Sequence, residues 1–214
     1  FGSSSNALIR NNHFHHNNSS APISIDYSAS PTFINNLIEE NHSNNNGIIY
    51  FSNDGGNAKI INNTIVNNTC AQGAISPHGG FFINNIIYGN EPSQVYFDLP
   101  SSVSFKNCLI EGGKEGFTGA AFTGAYENCI DADPRFVSTE DYHLRDNSPC
   151  IGAGHYEEGL TPTYDYDGNP RPNPLGTMPD IGAYENPLAI PAHTEIFAGN
   201  VSGTWTKANA PYNI

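Results

Sequence analysis

The chain has 214 residues and a formal net charge of −13, with 37% hydrophobic, 11% aromatic and only 14% charged residues. That length can bury a real core, and the aromatic content suits a β protein. So acidic a surface repels nucleic acid and anionic lipid, which excludes both as expected partners, and a polyanionic substrate would need a local basic groove. No signal peptide or apolar transmembrane run is present, so direct membrane insertion is not expected.

The opening segment, FGSSSNALIRNN, enters a repeat already in progress, and the chain is expected to be a truncated piece of something larger. From there one phrase recurs six times: RNNHF, INNLI, INNTI, INNII, KNCLI and ENCID. Its reference residue is Asn12, Asn36, Asn63, Asn85, Asn107 and Asn128, with steps of 24, 27, 22, 22 and 21 residues. Such a period is that of a solenoid. Two residues after the reference stand Phe14, Ile38, Ile65, Ile87, Leu109 and Ile130, a column that must face a core. Two before it stand Arg10, Ile34, Ile61, Ile83, Phe105 and Tyr126, apolar in all but the first coil, as strand alternation requires.

Five residues after the reference come Asn17, Asn41, Asn68 and Asn90, then Gly112. Stacked asparagines can hydrogen-bond along the solenoid, and Asn or Gly tolerates a left-handed corner. Both Asn columns therefore read as structural corners. A second short strand follows each corner, in PISID, GIIYF, GAIS and QVYFD, each flanked by turn formers. The expected fold is all-β: a right-handed parallel β-helix of about six coils over residues 1–136, roughly 30 Å long at the spacing of paired strands. An antiparallel sandwich would not explain the fixed place of each residue type.

Cys108 and Cys129 each follow a reference residue in successive coils, about 4.8 Å apart if stacked, which allows a disulfide. Free half-buried thiols are the alternative, because side chains in one column point in parallel.

Beyond Cys129 the pattern changes to DADPRF (131–136), DYHLRDNSPCIGAG (141–154), DYDGNPRP (165–172) and PDIGAYE (179–185). These four ordered motifs resemble the C-terminal end of bacterial right-handed parallel β-helix proteins, of the Bacteroidetes surface and secreted type that carries a choice-of-anchor domain. The resemblance implies a secreted or cell-surface setting and an association with carbohydrate. It brings no set of catalytic residues. Read physically, residues 137–186 form an irregular cap expected to fold over the last coil, with Asp180 and Glu185 pairing with Arg171. Asp165, Asp167 and Asn169 make part of a calcium-loop pattern without the distal glutamate, so calcium is the one cofactor considered, against a simple hydrogen-bonded turn. Residues 187–214 read as a linker and the start of a further β-rich domain, making neighbouring domains expected partners.

Chemistry on such a solenoid would sit on outward positions of adjacent coils. His15 and His16 stack on Glu39 and Glu40 in the next coil, with His13 and His42 near, a set able to polarise a base or hold a metal. The competing reading is a solvated polar edge, since Val66, Tyr88 and Ile110 fill the same column later. Basic residues are scattered, Asp26, Asp54 and Asp98 give at most one carboxylate per coil, with gaps, and Tyr27, Tyr50, Tyr88 and Tyr96 offer faces for sugar rings. Two functions are compatible with this pattern. One is a noncatalytic module for glycan binding, adhesion or spacing; the other is the C-terminal part of a polysaccharide lyase or glycoside hydrolase whose catalytic coils lie upstream.

Overall fold

A computed structural model describes residues 2, 5–26, 29–52 and 57–191. Each coil contributes one short strand to each of several parallel sheets, so every strand pairs with its counterpart in the coils before and after. Sheet A stacks Leu8–Arg10, Thr32–Ile34, Lys59–Ile61, Phe81–Ile83, Ser104–Lys106 and Tyr126–Glu127. Sheet B stacks His13–His15, Leu37–Glu39, Thr64–Val66, Ile86–Tyr88 and Leu109–Ile110. A third sheet joins Asn18–Ser19, His42–Ser43 and Thr69–Cys70, and a fourth, sheet D, joins Ile23–Asp26, Ile49–Ser52 and Ile75–Ser76. Tyr96–Phe97 pairs with Thr118–Gly119 further along. The expected parallel β-helix is what forms, with about five full turns. A single 3-10 turn at Lys114–Gly116 is the only helical element among the described residues.

The strands are short because each coil must turn several corners, and alternation decides what is buried. Sheet A supplies Ile9, Phe33, Ile60, Phe82, Phe105 and Tyr126 to the core, in register from coil to coil. Sheet B supplies Phe14, Ile38, Ile65, Ile87 and Ile110. Phe82 and Phe105 stack with centroids 4.9 Å apart, and Phe105 continues to Phe117 at 5.4 Å. Such offset aromatic stacking adds to the burial of the rings.

This register corrects the sequence alignment in its last two copies. Lys106 pairs with Ile83, and Glu127 follows Lys106 in the same column, so the residues level with Asn85 are Cys108 and Cys129. Asn107 and Asn128 are instead level with the first asparagine of each earlier pair. Asn11, Asn35, Asn62, Asn84, Asn107 and Asn128 all have φ between 48° and 55°, the left-handed corner that asparagine tolerates best. The next corner is turned by His16, Glu40, Asn67, Gly89 and Gly112, again all left-handed. The left-handed residue thus precedes each ladder asparagine and is never the ladder residue itself. The core column of sheet A likewise lies one residue earlier than expected in coils one to four, and Ile34, Ile61 and Ile83 face outward. Leu109 also faces outward, in the column of Leu37, Thr64 and Ile86.

The segment after residue 135 does not fold over the last coil. It runs along the outer face of sheet B, where Tyr142, Leu144, Ile151, Ile181, Ala183 and Tyr184 cover Leu37, Val66, Ile86 and Leu109 in a second hydrophobic cluster. The first-asparagine column fastens it. Asn11 donates to the carbonyls of Asp165 and Tyr166, Asn35 to that of Tyr164, and Asn62 to those of Asp180 and Gly182. Asn84 reaches the carbonyl of His155 and Asn107 that of Ala153. Gly182 must be glycine: its φ is +101°, and a Cβ there would lie 2.6 Å from the Ile86 side chain.

Candidate functional site

The asparagine columns are continuous hydrogen-bonded ladders. The backbone N–H and the Nδ2 of Asn36 both donate to Asn63 Oδ1, at 2.9 and 2.8 Å, and Asn63 does the same to Asn85. Asn12 enters the ladder through Asn36 in the same way. In the inner coils the ladder Nδ2 also donates to carbonyls of its own coil and the preceding one, as Asn63 does to Ile61 and Phe33. Asn17, Asn41, Asn68 and Asn90 form a second ladder that ends on Gln94 Oε1, 2.7 Å from Asn90 Nδ2. The buried members, Asn36, Asn41, Asn63, Asn68, Asn85 and Asn90, are hydrogen-bonded throughout, as burial demands. The buried rungs of the ladders are scaffold.

Cys108 continues the first ladder in sulfur. Asn85 N lies 3.4 Å from its Sγ, and Cys108 N lies 3.5 Å from the Sγ of Cys129. Both cysteines are free thiols, each sulfur aimed at the backbone of the preceding coil, so the stacked pair does not make the disulfide. Burial pushes the Cys108 thiol well up, whereas the hydrogen bond from Cys108 holds the Cys129 thiol below its ordinary value.

The four candidate acid–base residues lie together on the first two coils, but they are largely spent on one another. His15 is level with Glu39, yet it is His13 Nε2 that meets Glu39 Oε1, at 2.7 Å. The other Glu39 oxygen accepts from Tyr142 Oη at 2.7 Å, and that Oη accepts from Asn67. His15 stacks on His13 with centroids 4.2 Å apart, and His16 Nε2 meets Glu40 Oε2 at 2.8 Å. Glu39 and Glu40 are each paired with an imidazole, and His42 stands apart in the third sheet.

Beside this patch lies a cluster that the sequence reading missed. His143 bridges two carboxylates, Asp141 Oδ1 at 2.5 Å and Asp167 Oδ2 at 2.7 Å, and its ring lies against Tyr184. Burial disfavours the imidazolium, but the bonds to Asp167 and Asp141 outweigh it and raise the His143 pKa. The same bond lowers Asp141. The signal was the spacing of DYH and DYD, where alternate residues share one side.

Arg171 and Glu185 form the expected pair, Nε to Oε1 at 2.9 Å with both side chains fully buried. Asp180 lies in the same cluster without touching Arg171; its oxygens accept the N–H groups of Gly152 and Asn186. Burial, then the neighbouring Glu185, pushes the Asp180 carboxyl up to about 7. Asp165 accepts from Asp167 N, Asn169 N, Asn169 Nδ2 and Glu185 N, while Asp167 turns away to His143. Asp165, Asp167 and Asn169 are thus a hydrogen-bonded turn. Among the described residues no group of three or more His, Cys, Asp or Glu side chains is placed to hold a metal ion.

The outward face of sheet D carries a polar column that is part-exposed at Ser24, Tyr50 and Tyr96 and buried at Ser76. Ser24, Tyr50 and Ser76 share a column that continues to Tyr96. Tyr50 and Tyr96 are half-buried and two coils apart, about 9.6 Å at strand spacing. Alongside, Asp26 accepts from Ser24 and Ser52, and His78 Nε2 lies 2.5 Å from Asp98 Oδ1. Tyr27, Asp54 and residues 192–214, with the expected further domain, lie outside the described residues.

A parallel solenoid with internal asparagine ladders defines a β-helix repeat protein. Residues 2–131 match the family model described as "Right handed beta helix region", and the chain belongs to that family. Comparison with curated proteins and with solved structures gave no match.

Proposed function

We propose that the chain is a noncatalytic, secreted or cell-surface module that binds glycan and spaces neighbouring domains along a rigid rod. The observation that carries this reading is the occupied outer face of sheet B. Where an outward groove could have held a substrate, the protein places its own residues 136–186, and Glu39 is consumed by His13 and Tyr142 as a fastening. On the outward face of sheet D two part-exposed tyrosine rings instead stand two coils apart, about the advance of two sugars in an extended chain, with the buried Ser76 between them and Ser24, Asp26, His78 and Asp98 beside them. Aromatic faces with a polar border suit sugar rings, whose C–H faces are apolar and whose edges are hydroxyls.

The test incubates the protein with uronate-containing and neutral polysaccharides, with and without calcium. Retardation in affinity gels is followed together with unsaturated products and new reducing ends. Retardation without cleavage, weakened in Tyr50→Ala and Tyr96→Ala, is the expected result. Cleavage by this chain would overturn the noncatalytic reading, and absence of any retardation would overturn glycan binding.

A further inference from the structure

A cleft of about 470 Å³ opens where residues 133–147 cross the corner of the third and fourth coils at Asn67 and Tyr88. Two arginines line it in a chain with only eight Lys and Arg among 214 residues. Arg145 N donates to the Arg135 carbonyl at 3.0 Å, so the two side chains spring from paired backbone. Each guanidinium is steadied by one bond to a main-chain carbonyl, Arg135 Nη1 to Asn147 and Arg145 Nη2 to Val137. Neither has a carboxylate partner among the described residues. The single acid in the cleft, Asp133, spends Oδ1 on the Arg135 backbone N–H at 2.8 Å. Arg135 is also left-handed, with φ 56°, a conformation costing a non-glycine residue about 1–2 kcal/mol.

We infer that this cleft binds a saccharide bearing one acidic group, a carboxylate or a sulfate, gripped by Arg135 and Arg145. Two guanidiniums lining one cleft, each with donors left over after its main-chain bond, suit the oxygens of such a group. The remainder of the wall suits a sugar ring: Tyr88 and Phe136 give aromatic faces, and Asn147 with Thr139 gives hydrogen-bonding edges. The volume falls in the range of small-ligand sites and holds one or two rings. The overall charge of −13 selects against a long polyanion, so the ligand is a single acidic residue or chain end. The inference rests on the glycan-binding reading but uses a site separate from the tyrosine strip.

The experiment titrates the whole chain by calorimetry with sodium glucuronate, galactose 6-sulfate, glucose, galactose and sodium sulfate. One or both acidic sugars are expected to bind, more weakly as salt rises, and to exceed their neutral counterparts roughly tenfold or more, as loss of a charge-assisted pair implies. The comparison of glucuronate with the sulfated sugar tells which acid is preferred. Arg135→Gln with Arg145→Gln is expected to abolish binding. Thr139→Trp, which fills the cleft from an exposed position, does the same without touching the framework and decides the matter if the arginine variant unfolds. Binding of neither acidic sugar, acid binding unchanged in the variants, or sodium sulfate binding as tightly as the sugars would each overturn the inference. Polysaccharide retention through Tyr50 and Tyr96 in the absence of acidic-sugar binding would sink this site alone; loss of both would sink the glycan reading with it.

Discussion

The backbone N–H of Asn85 points at the sulfur of Cys108, 3.4 Å away, where Asn63 finds an asparagine oxygen at 2.9 Å. Cys108 Sγ in turn faces the carbonyls of Phe82 and Lys106, just as the Nδ2 of Asn85 faces those of Ile60 and Ile83. The thiol occupies a ladder site whose neighbours on the Asn85 side are built for an amide, and sulfur is a weak donor and acceptor. Cys108→Asn is therefore expected to stabilise the fold by about 1 kcal/mol, the net worth of a better hydrogen bond. Urea unfolding reads this as a raised midpoint; a lowered one would show that the site has narrowed around sulfur.

Glu40 turns its corner with φ 48°, where the following coils use Asn67 and Gly89. Its contact with His16 is exposed and worth little, so the left-handed backbone outweighs it. Glu40→Asn should raise stability by up to about 1 kcal/mol and leave glycan retention unchanged. Loss of retention in a more stable variant would return Glu40 to the list of functional residues.

Tyr142 ties the C-terminal segment to two coils at once, donating to Glu39 and accepting from Asn67. Tyr142→Phe keeps the ring's packing and removes both bonds, leaving Glu39 with only His13. The expected loss is about 1.5–3 kcal/mol, the range for a hydrogen bond to a charged group. Because the bond joins the segment to the solenoid, proteolysis within residues 137–186 should accelerate before the coils unfold. Equal protection of segment and coils in the variant would show that they open as one unit.

The solenoid was legible because its period is a repeated chemical phrase, and Phe14, Ile38, Ile65 and Ile87 mark the core in plain letters. The slip at KNCLI and ENCID arose because two asparagines with different tasks stand side by side. One adopts a left-handed corner and the other fills the ladder, so when cysteine replaces the second, the surviving Asn107 and Asn128 belong to the first column. The place of the C-terminal segment was harder to read. Asn11, Asn35, Asn62, Asn84 and Asn107 hold it through main-chain carbonyls, which leave no mark on the partner sequence. The Arg171–Glu185 pair needed only opposite charge, whereas the His143 bridge needed knowledge of which loops meet.

Stability should be greatest in mildly acid solution. Asp180 has its pKa raised to about 7 by burial, so the folded chain keeps a proton that the unfolded chain releases near 3.8. Stability contributed in this way is complete below 3.8 and is lost as pH rises to about 7. His143 has the same sign: its folded pKa is raised above 6.5, so its contribution is present below 6.5 and is lost as pH climbs through the folded value. Asp141 works in the opposite direction, since its lowered pKa contributes stability above 3.8 that disappears as pH falls through the folded value. Urea midpoints between pH 3 and 8 should therefore rise out of the acid limb and then decline from about pH 4 upward. His143→Gln, at a partly exposed position, should remove the part of the decline above pH 6.5 and, by weakening the bond that lowers Asp141, flatten the acid limb. A midpoint level from pH 4 to 8 would mean that Asp180 is ionised in the fold, with its charge balanced by Arg171.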